Sequence, residues 1–189
     1  GGLGEKSASV AERHVYPRSI APREADSPAA DVAAAFTCAA YDDVPALRAF
    51  AQQVDVVTLE FENVPPAALE IIAEQRPVRP SARVLRVTQD RLAEKDFVAR
   101  EGCPVTRYAR VCSADELARA VAVLGQGILK TIRLGYDGKG QIAITPDSDL
   151  AGAVAALGQP VLIYEALVGF ALELSVITAR TPAGAFASY

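Results

Sequence analysis

The sequence predicts an α/β protein, and three observations lead there. Between residues 44 and 75 two helical stretches flank one compact β-branched run, the order that builds β/α units and a mostly parallel sheet. The composition is 51% hydrophobic and 22% charged, with 13 Gly and 12 Pro, which excludes a disordered, collagen-like or coiled-coil chain. The length, 189 residues, allows one to two domains at roughly 150 residues each. The apolar share overstates the burial on offer, because 36 residues are alanine.

Taken in order, the elements follow from local chemistry. Gly1-Gly2-Leu3-Gly4 reads as the remnant of a glycine turn with no strand before it, and no period shows from there to Pro28. Residues 44–52 read as a helix with Pro45 in its first turn. Val54 to Phe61 is a β-branched run without polar alternation at Val56-Val57, as in a strand buried on both faces. Pro65 opens a helix through Gln75, and Arg76 to Pro80 reads as a crossing between domains.

A helix over 90–101 stops at Gly102, with Pro104 just beyond. Ser113-Ala-Asp-Glu116 is a capping box before Leu117, Val121 and Leu124, which share one helix face, and Gly125-Gln-Gly127 ends that helix. Strands are expected at 128–132, 141–145 and 161–164, with a glycine loop at 135–140 and a helix over 149–157. Residues 172–179 and 185–189 read as strands joined by a turn at Pro182-Ala-Gly184.

Charge and cysteine usage narrow the function. The net charge is −4 and the pI about 5.1, so no basic field exists to hold nucleic acid or an anionic membrane. No apolar run approaches the roughly 18 residues of a membrane span, and the first residues lack the apolar core of a signal peptide. Cys38, Cys103, Cys112 and the single His14 have no metal-ligand spacing, so the expectation is no metal ligand among them and a reducing cytoplasm. The chain contains no Met, which is the expectation for a trimmed piece of a longer protein or for positions lost before the sequence was written down.

The stretch richest in chemistry is Ile128-Leu-Lys130-Thr-Ile-Arg-Leu-Gly135-Tyr-Asp-Gly-Lys-Gly-Gln141. A strand ends in a lysine, and a loop with three glycines, one acid and one base follows. Glycines let backbone N–H groups close over phosphate oxygens, and lysines supply compensating charge. Taken alone, the glycine pattern reads first as a plain hairpin turn. It is not a Walker A loop, since no Gly-Lys-Ser/Thr opens a helix, and no dinucleotide fingerprint follows.

The neighbourhood adds to this. Tyr136-Asp-Gly-Lys-Gly-Gln141 after a strand lysine, followed by Glu165 and Glu173-Leu-Ser-Val-Ile177, resembles the ATP-grasp superfamily. With Glu60-Phe-Glu-Asn-Val-Pro65, Gln89-Asp-Arg-Leu-Ala-Glu-Lys95, Ala25-Asp-Ser-Pro-Ala29 and Ala40-Tyr-Asp-Asp43, it is similar to the 5-(carboxyamino)imidazole ribonucleotide synthase family over roughly residues 24–189.

The resemblance implies a fold and a set of roles. The fold is a Rossmann-like N-terminal domain over 1–80, an ATP-grasp small lobe with linker helices over 81–164, and a large lobe begun at 165–189 and truncated. Arg91 and Lys130 would meet ATP phosphates. Gly135, Tyr136, Asp137, Gly138, Lys139, Gly140 and Gln141 would form the mobile loop over the triphosphate, with Tyr136, Asp137 and Lys139 also approaching the ribonucleotide. Glu165, Ala166, Leu167 and Val168 would hold adenine through backbone groups and an apolar wall, and Glu173 would bind the ribose hydroxyls. Glu60 and Glu62 read either as ligand-facing acids at a strand end or as a solvated turn.

The implied reaction uses ATP, Mg²⁺ and bicarbonate to carboxylate 5-aminoimidazole ribonucleotide in purine biosynthesis, through carboxyphosphate, in a cytoplasmic homodimer. The sequence departs from the family at its N-terminus, where the first strand and glycine loop are broken or absent. It departs again at Leu134, where the family keeps a glycine, and at Ala166, where the hinge has a second acid. The Mg²⁺ ligands and substrate-phosphate residues would lie past Tyr189. Another ATP-grasp ligase, formate-dependent or biotin carboxylase-like, and a non-catalytic nucleotide-binding fragment remain the alternatives.

Overall fold

The computed structural model of the chain describes residues 18–21, 35–59, 62–135 and 139–188. They belong to two compact units: residues up to Cys103 together with Ile132–Leu134, and Pro104–Thr131 together with the residues from Gly135 on.

In the first unit β1 (Arg18–Ala21) runs parallel to β2 (Ala35–Cys38), and β3 (Val57–Thr58) parallel to β4 (Val78–Arg79). Helix α1 (Val44–Ala51) lies in sequence between β2 and β3, and α2 (Pro66–Ala73) between β3 and β4. Parallel pairing thus appears where the β/α alternation was read. Asp43 starts α1 by accepting the Ala46 N–H at 3.0 Å. Both helices turn their apolar stripes inward: Leu47, Phe50, Ala68, Leu69 and Ile72 pack with Val57, Val64, Val78 and Leu85. Each such large side chain contributes about 1.5–3 kcal/mol by leaving water. Leu85 comes from α3 (Ala82–Thr88), a helix the sequence reading did not place, capped by Ser81. After it comes α4 (Arg91–Arg100), whose cap Asp90 accepts from Leu92 and Ala93.

The expected strand over 54–61 is corrected to two residues. The Arg76 guanidinium takes the Val54 carbonyl at 2.6 Å, so pairing with the β4 segment begins only at Val57, whose N–H donates to Pro77 at 2.9 Å. Val56 is 58% exposed beside buried Val57, so the run is not covered on both faces.

The second unit is an antiparallel sheet in the order β5-β8-β6-β7. Its strands are β5 (Tyr108–Val111), β6 (Gly127–Thr131), β7 (Gln141–Ile144) and β8 (Leu162–Ala166). Helices α5 (Ala114–Leu124) and α6 (Leu150–Leu157) contribute Leu117, Ala120 and Ala153 to a core with Val111, Leu129, Ile144, Leu162 and Tyr164. The Ser113 cap forms as read, accepting from Glu116 at 3.2 Å, but the Glu116 carboxylate reaches back to Cys112 N at 2.7 Å rather than to Ser113.

Gly127 is required by packing. A Cβ there would lie 2.1 Å from the Glu165 carbonyl and within 3 Å of the Tyr164 ring. The bare glycine lets that fully buried ring lie against β6 while its hydroxyl donates to Gly125 O at 2.6 Å. Burial pushes the Tyr164 phenol up, which keeps it a donor.

Beyond β8 the chain leaves the sheet. Of the expected strand over 172–179 only β9 (Thr178–Arg180) forms, pairing antiparallel with β10 (Phe186–Ser188) around the turn at 182–184. Residues 172–177 are irregular and exposed. A strand needs a neighbour for its backbone groups, and none of the described residues supplies one there.

Candidate functional site

The antiparallel sheet brings two of the expected residues together. Side chains alternate across each strand, so Lys130 on β6 and Glu165 on β8 both point away from Leu129 and Tyr164, which face the helices. The Lys130 ammonium donates to Glu165 Oε2 at 2.8 Å, with 20% and 11% of the two side chains exposed. A charge-assisted bond of this length, partly screened from water, is stronger than a surface pair. Glu165 is therefore no strand-edge acid. It sits in a central strand, paired through Ile128 on one side and Tyr108 on the other.

Immediately past β6 the glycine loop begins. Its neck closes when Thr131 N donates to Gly140 O at 2.8 Å. Gly140 has φ +68, and a Cβ there would meet Thr131 Oγ1 at 2.7 Å and the Gly135 Cα at 3.6 Å, so this position needs glycine twice over. Gln141 pairs opposite Lys130, and Lys139 stands exposed beside the neck. Tyr136, Asp137 and Gly138 lie outside the described residues, as do Glu60 and His14. Leu134, where the family resemblance has a glycine, adopts φ +60 and is 69% exposed. The left-handed geometry that a glycine takes freely is kept, with a side chain forced into it.

The hinge follows β8. Ala166 N donates to Arg107 O and Leu167 N to Gln126 O, both at 2.9 Å, while Ala166 O accepts the Thr106 hydroxyl. Those groups are engaged within the fold. Among the described residues no backbone partner takes the Leu167 carbonyl or the Val168 N–H, an acceptor and a donor side by side between two exposed apolar side chains. Glu173 lies exposed in the irregular stretch and is not part of the sheet.

Arg91 belongs to the first unit, at the first position of α4, with its N–H donating to Ile132 O at 2.9 Å. Its neighbour Gln89, to which the sequence assigns no role of its own, is 7% exposed. The Gln89 amide nitrogen donates to Val64 O at 2.8 Å and also to Glu62 O, and its oxygen accepts from Arg133 Nη2 at 2.6 Å. The only sequence signal was its place in the Gln-Asp-Arg motif. Among the described residues no group of three His, Cys, Asp or Glu side chains could hold a metal ion. The described residues thus bring together no such ligand group for the implied Mg²⁺. No helix among them is long and apolar enough to cross a membrane.

Comparison with known proteins accounts for both units. The ribonucleotide synthetase preATP-grasp domain matches residues 1–89 and the ATP-grasp domain matches residues 96–189. N5-carboxyaminoimidazole ribonucleotide synthase of Brucella melitensis biotype 1 is 41% identical over 187 residues, covering 97% of this chain and 52% of that protein. Among solved structures, N5-carboxyaminoimidazole ribonucleotide synthetase from Thermus thermophilus superposes with a TM-score of 0.85 at 30% identity, over 97% of this chain and 49% of that one. N5-carboxyaminoimidazole synthetase from Staphylococcus aureus, complexed with ADP, gives 0.82 at 30% identity over 100% and 51%. The chain spans about half the length of the curated relatives it matches.

Proposed function

The chain belongs to the N5-carboxyaminoimidazole ribonucleotide synthase family of ATP-grasp proteins, and on that premise we propose that its full-length gene product uses ATP and bicarbonate to carboxylate 5-aminoimidazole ribonucleotide. ATP phosphorylates bicarbonate to carboxyphosphate, whose CO₂ passes to the amine, leaving the N5-carboxyamino product, ADP and phosphate. The protein acts as a cytoplasmic homodimer. Its domains are a Rossmann-like part over 1–80, a small lobe over 81–164 and the start of a large lobe at 165–189.

The observation that carries this reading is the Lys130–Glu165 pair beside the glycine neck. An ammonium already balanced by a carboxylate on the adjacent strand is held in place before nucleotide arrives. A phosphate oxygen can then take over part of the carboxylate's role at the same nitrogen. Such preorganised charge is the main contribution a protein makes to phosphoryl transfer. Gly140 keeps the neck narrow, so Gly135, Lys139 and Gln141, with Tyr136 to Gly138 between them, form one short loop over the transferred group and exclude water from carboxyphosphate. Arg91 adds a second cation to the phosphates. The Leu167 carbonyl and Val168 N–H offer adenine an acceptor and a donor, with Ala166 and Glu165 fixing the strand behind them and Glu173 meeting the ribose.

The test is phosphate release by the full-length gene product. Release that requires bicarbonate and 5-aminoimidazole ribonucleotide together supports the reading. Equal release with glycinamide ribonucleotide and formate overturns it.

A further inference from the structure

Three segments of the first unit meet at one side chain. The turn after Glu60-Phe61 presents the Glu62 and Val64 carbonyls, and the strap 132–134 presents Arg133. Gln89, between α3 and α4, joins them. We infer that Gln89 is a positioning residue that holds the acidic turn at 62–64 and the root of the glycine loop at 132–134 in one fixed arrangement. This inference rests on the function proposed above.

The chemistry of the contacts calls for a primary amide. Two carbonyl acceptors require an NH₂ group, and a guanidinium donor requires an oxygen on the same planar end. Glutamine supplies both, and its orientation is fixed by its partners. Leucine would leave two carbonyls and an arginine unmatched, and glutamate would set negative charge against two carbonyl oxygens. The strap is tied a second time, through Arg91 N to Ile132 O, so the start of the Gln-Asp-Arg helix and the loop root are held at two points. The strap ends at Leu134 in its left-handed conformation, and Gly135 follows. A loop is aimed by its root, so slack at Gln89 loosens that root even though Gln89 would touch no phosphate.

A residue that merely stabilised the fold would lower the melting temperature and leave kinetics per folded molecule unchanged. A positioning residue instead separates kcat from KM. In the full-length gene product, Gln89→Ala is expected to lower kcat by roughly ten- to a hundredfold, since small misplacements in a phosphoryl-transfer site have effects of that size. The KM for ATP should stay within about threefold, because the Lys130–Glu165 pair and the hinge are not altered.

Two further variants divide the node. Gln89→Glu keeps the Arg133 contact and repels the turn carbonyls, while Arg133→Met frees the loop root alone. Each should give a partial loss of kcat, and in amide hydrogen exchange the first should expose 62–64 and the second 132–134. Unchanged kcat per folded molecule in these variants, with only a lower melting temperature, overturns the inference. Should the wild-type protein not turn over these substrates, the proposed function fails by itself, and exchange in Gln89→Ala decides. Loss of protection at both segments supports the positioning role, and loss at one or neither overturns it.

Discussion

Each unit buries a hydrogen-bonded polar centre among its described residues, Gln89 in the first and Glu165 in the second, and the two are buried differently. Gln89 is neutral, 7% exposed, and matched atom by atom to two carbonyls and an arginine. Glu165 is charged, 8% exposed, and bound to a lysine on the neighbouring strand. A satisfied amide costs little to bury and cannot be displaced without leaving several groups unmatched. An ion pair is costlier to desolvate, and either charge can change partners when another ion arrives. The first arrangement fixes geometry, and the second keeps charge ready.

The sharpest way to break this contrast replaces no residue of either centre. In Gly127→Ala the new Cβ meets the Glu165 carbonyl, which is backbone and cannot swing aside. Overpacking costs about 1–3 kcal/mol when side chains can adjust, and a backbone clash places this variant at the upper end or beyond. Hydrogen exchange should show β6 and β8 losing protection while α1 and α2 keep theirs. Equal protection in all four elements would show that the strands can part freely.

Next comes Lys130→Met, which keeps the stem and removes the ammonium. Hydrogen bonds to charged groups are worth about 1.5–3 kcal/mol, so ATP affinity measured by calorimetry should fall roughly ten- to a hundredfold. The variant also leaves Glu165 without its lysine. Adding Glu165→Gln should recover thermal stability without recovering affinity, which separates the pair's structural cost from its binding role. An unchanged dissociation constant in Lys130→Met would make Lys130 a surface lysine.

Gly140→Ala tests the neck. A side chain in the left-handed region costs about 1–2 kcal/mol, and the clash with Thr131 Oγ1 adds to it. Turnover should fall more than the melting temperature does, and a melting temperature that fell alone would favour the plain hairpin.

The smallest effect runs the other way. Leu134→Gly relieves a left-handed strain of about 1–2 kcal/mol while adding about 0.5–1 kcal/mol of chain entropy. The net gain is then ~0.5–1 kcal/mol, or a few degrees in melting temperature. A lower melting temperature would mean that the leucine makes a contact worth more than the strain.

What the sequence revealed, and what it did not, divides along physical lines. Three capped helices were legible because the signal is local: Asp43, Ser113 and Asp149 each accept an N–H in the first turn they precede, whereas α3, capped by Ser81, was not placed. The strands flanking the glycine loop were legible within a residue or two for the same reason. β1 and β4 were not, being short and defined by a distant parallel partner rather than by their own pattern. The run at 54–61 misled because β-branched composition speaks for a strand, while the length of the strand is set by its neighbour and by the Arg76 guanidinium. At the site, Lys130 and Glu165 were each singled out, but their pairing across β6 and β8 depends on a register no linear spacing encodes. Gln89 was missed for a different reason. A buried glutamine resembles any surface glutamine until the two carbonyls and the arginine around it are placed.

The row of apolar side chains on the arm after β8 bears on how the molecule behaves in bulk. Phe170, Leu172, Leu174, Val176 and Ile177 are each more than 60% exposed, and the β9–β10 hairpin beside them has free strand edges among the described residues. A low net charge of −4 gives little repulsion to keep two copies apart. Kept alone in concentrated solution, the chain should show attractive self-interaction that strengthens with sulfate and weakens with arginine or mild detergent. Colloidal limits would then be met well before thermal ones, and charged replacements along 170–177 would raise solubility without moving the melting curve.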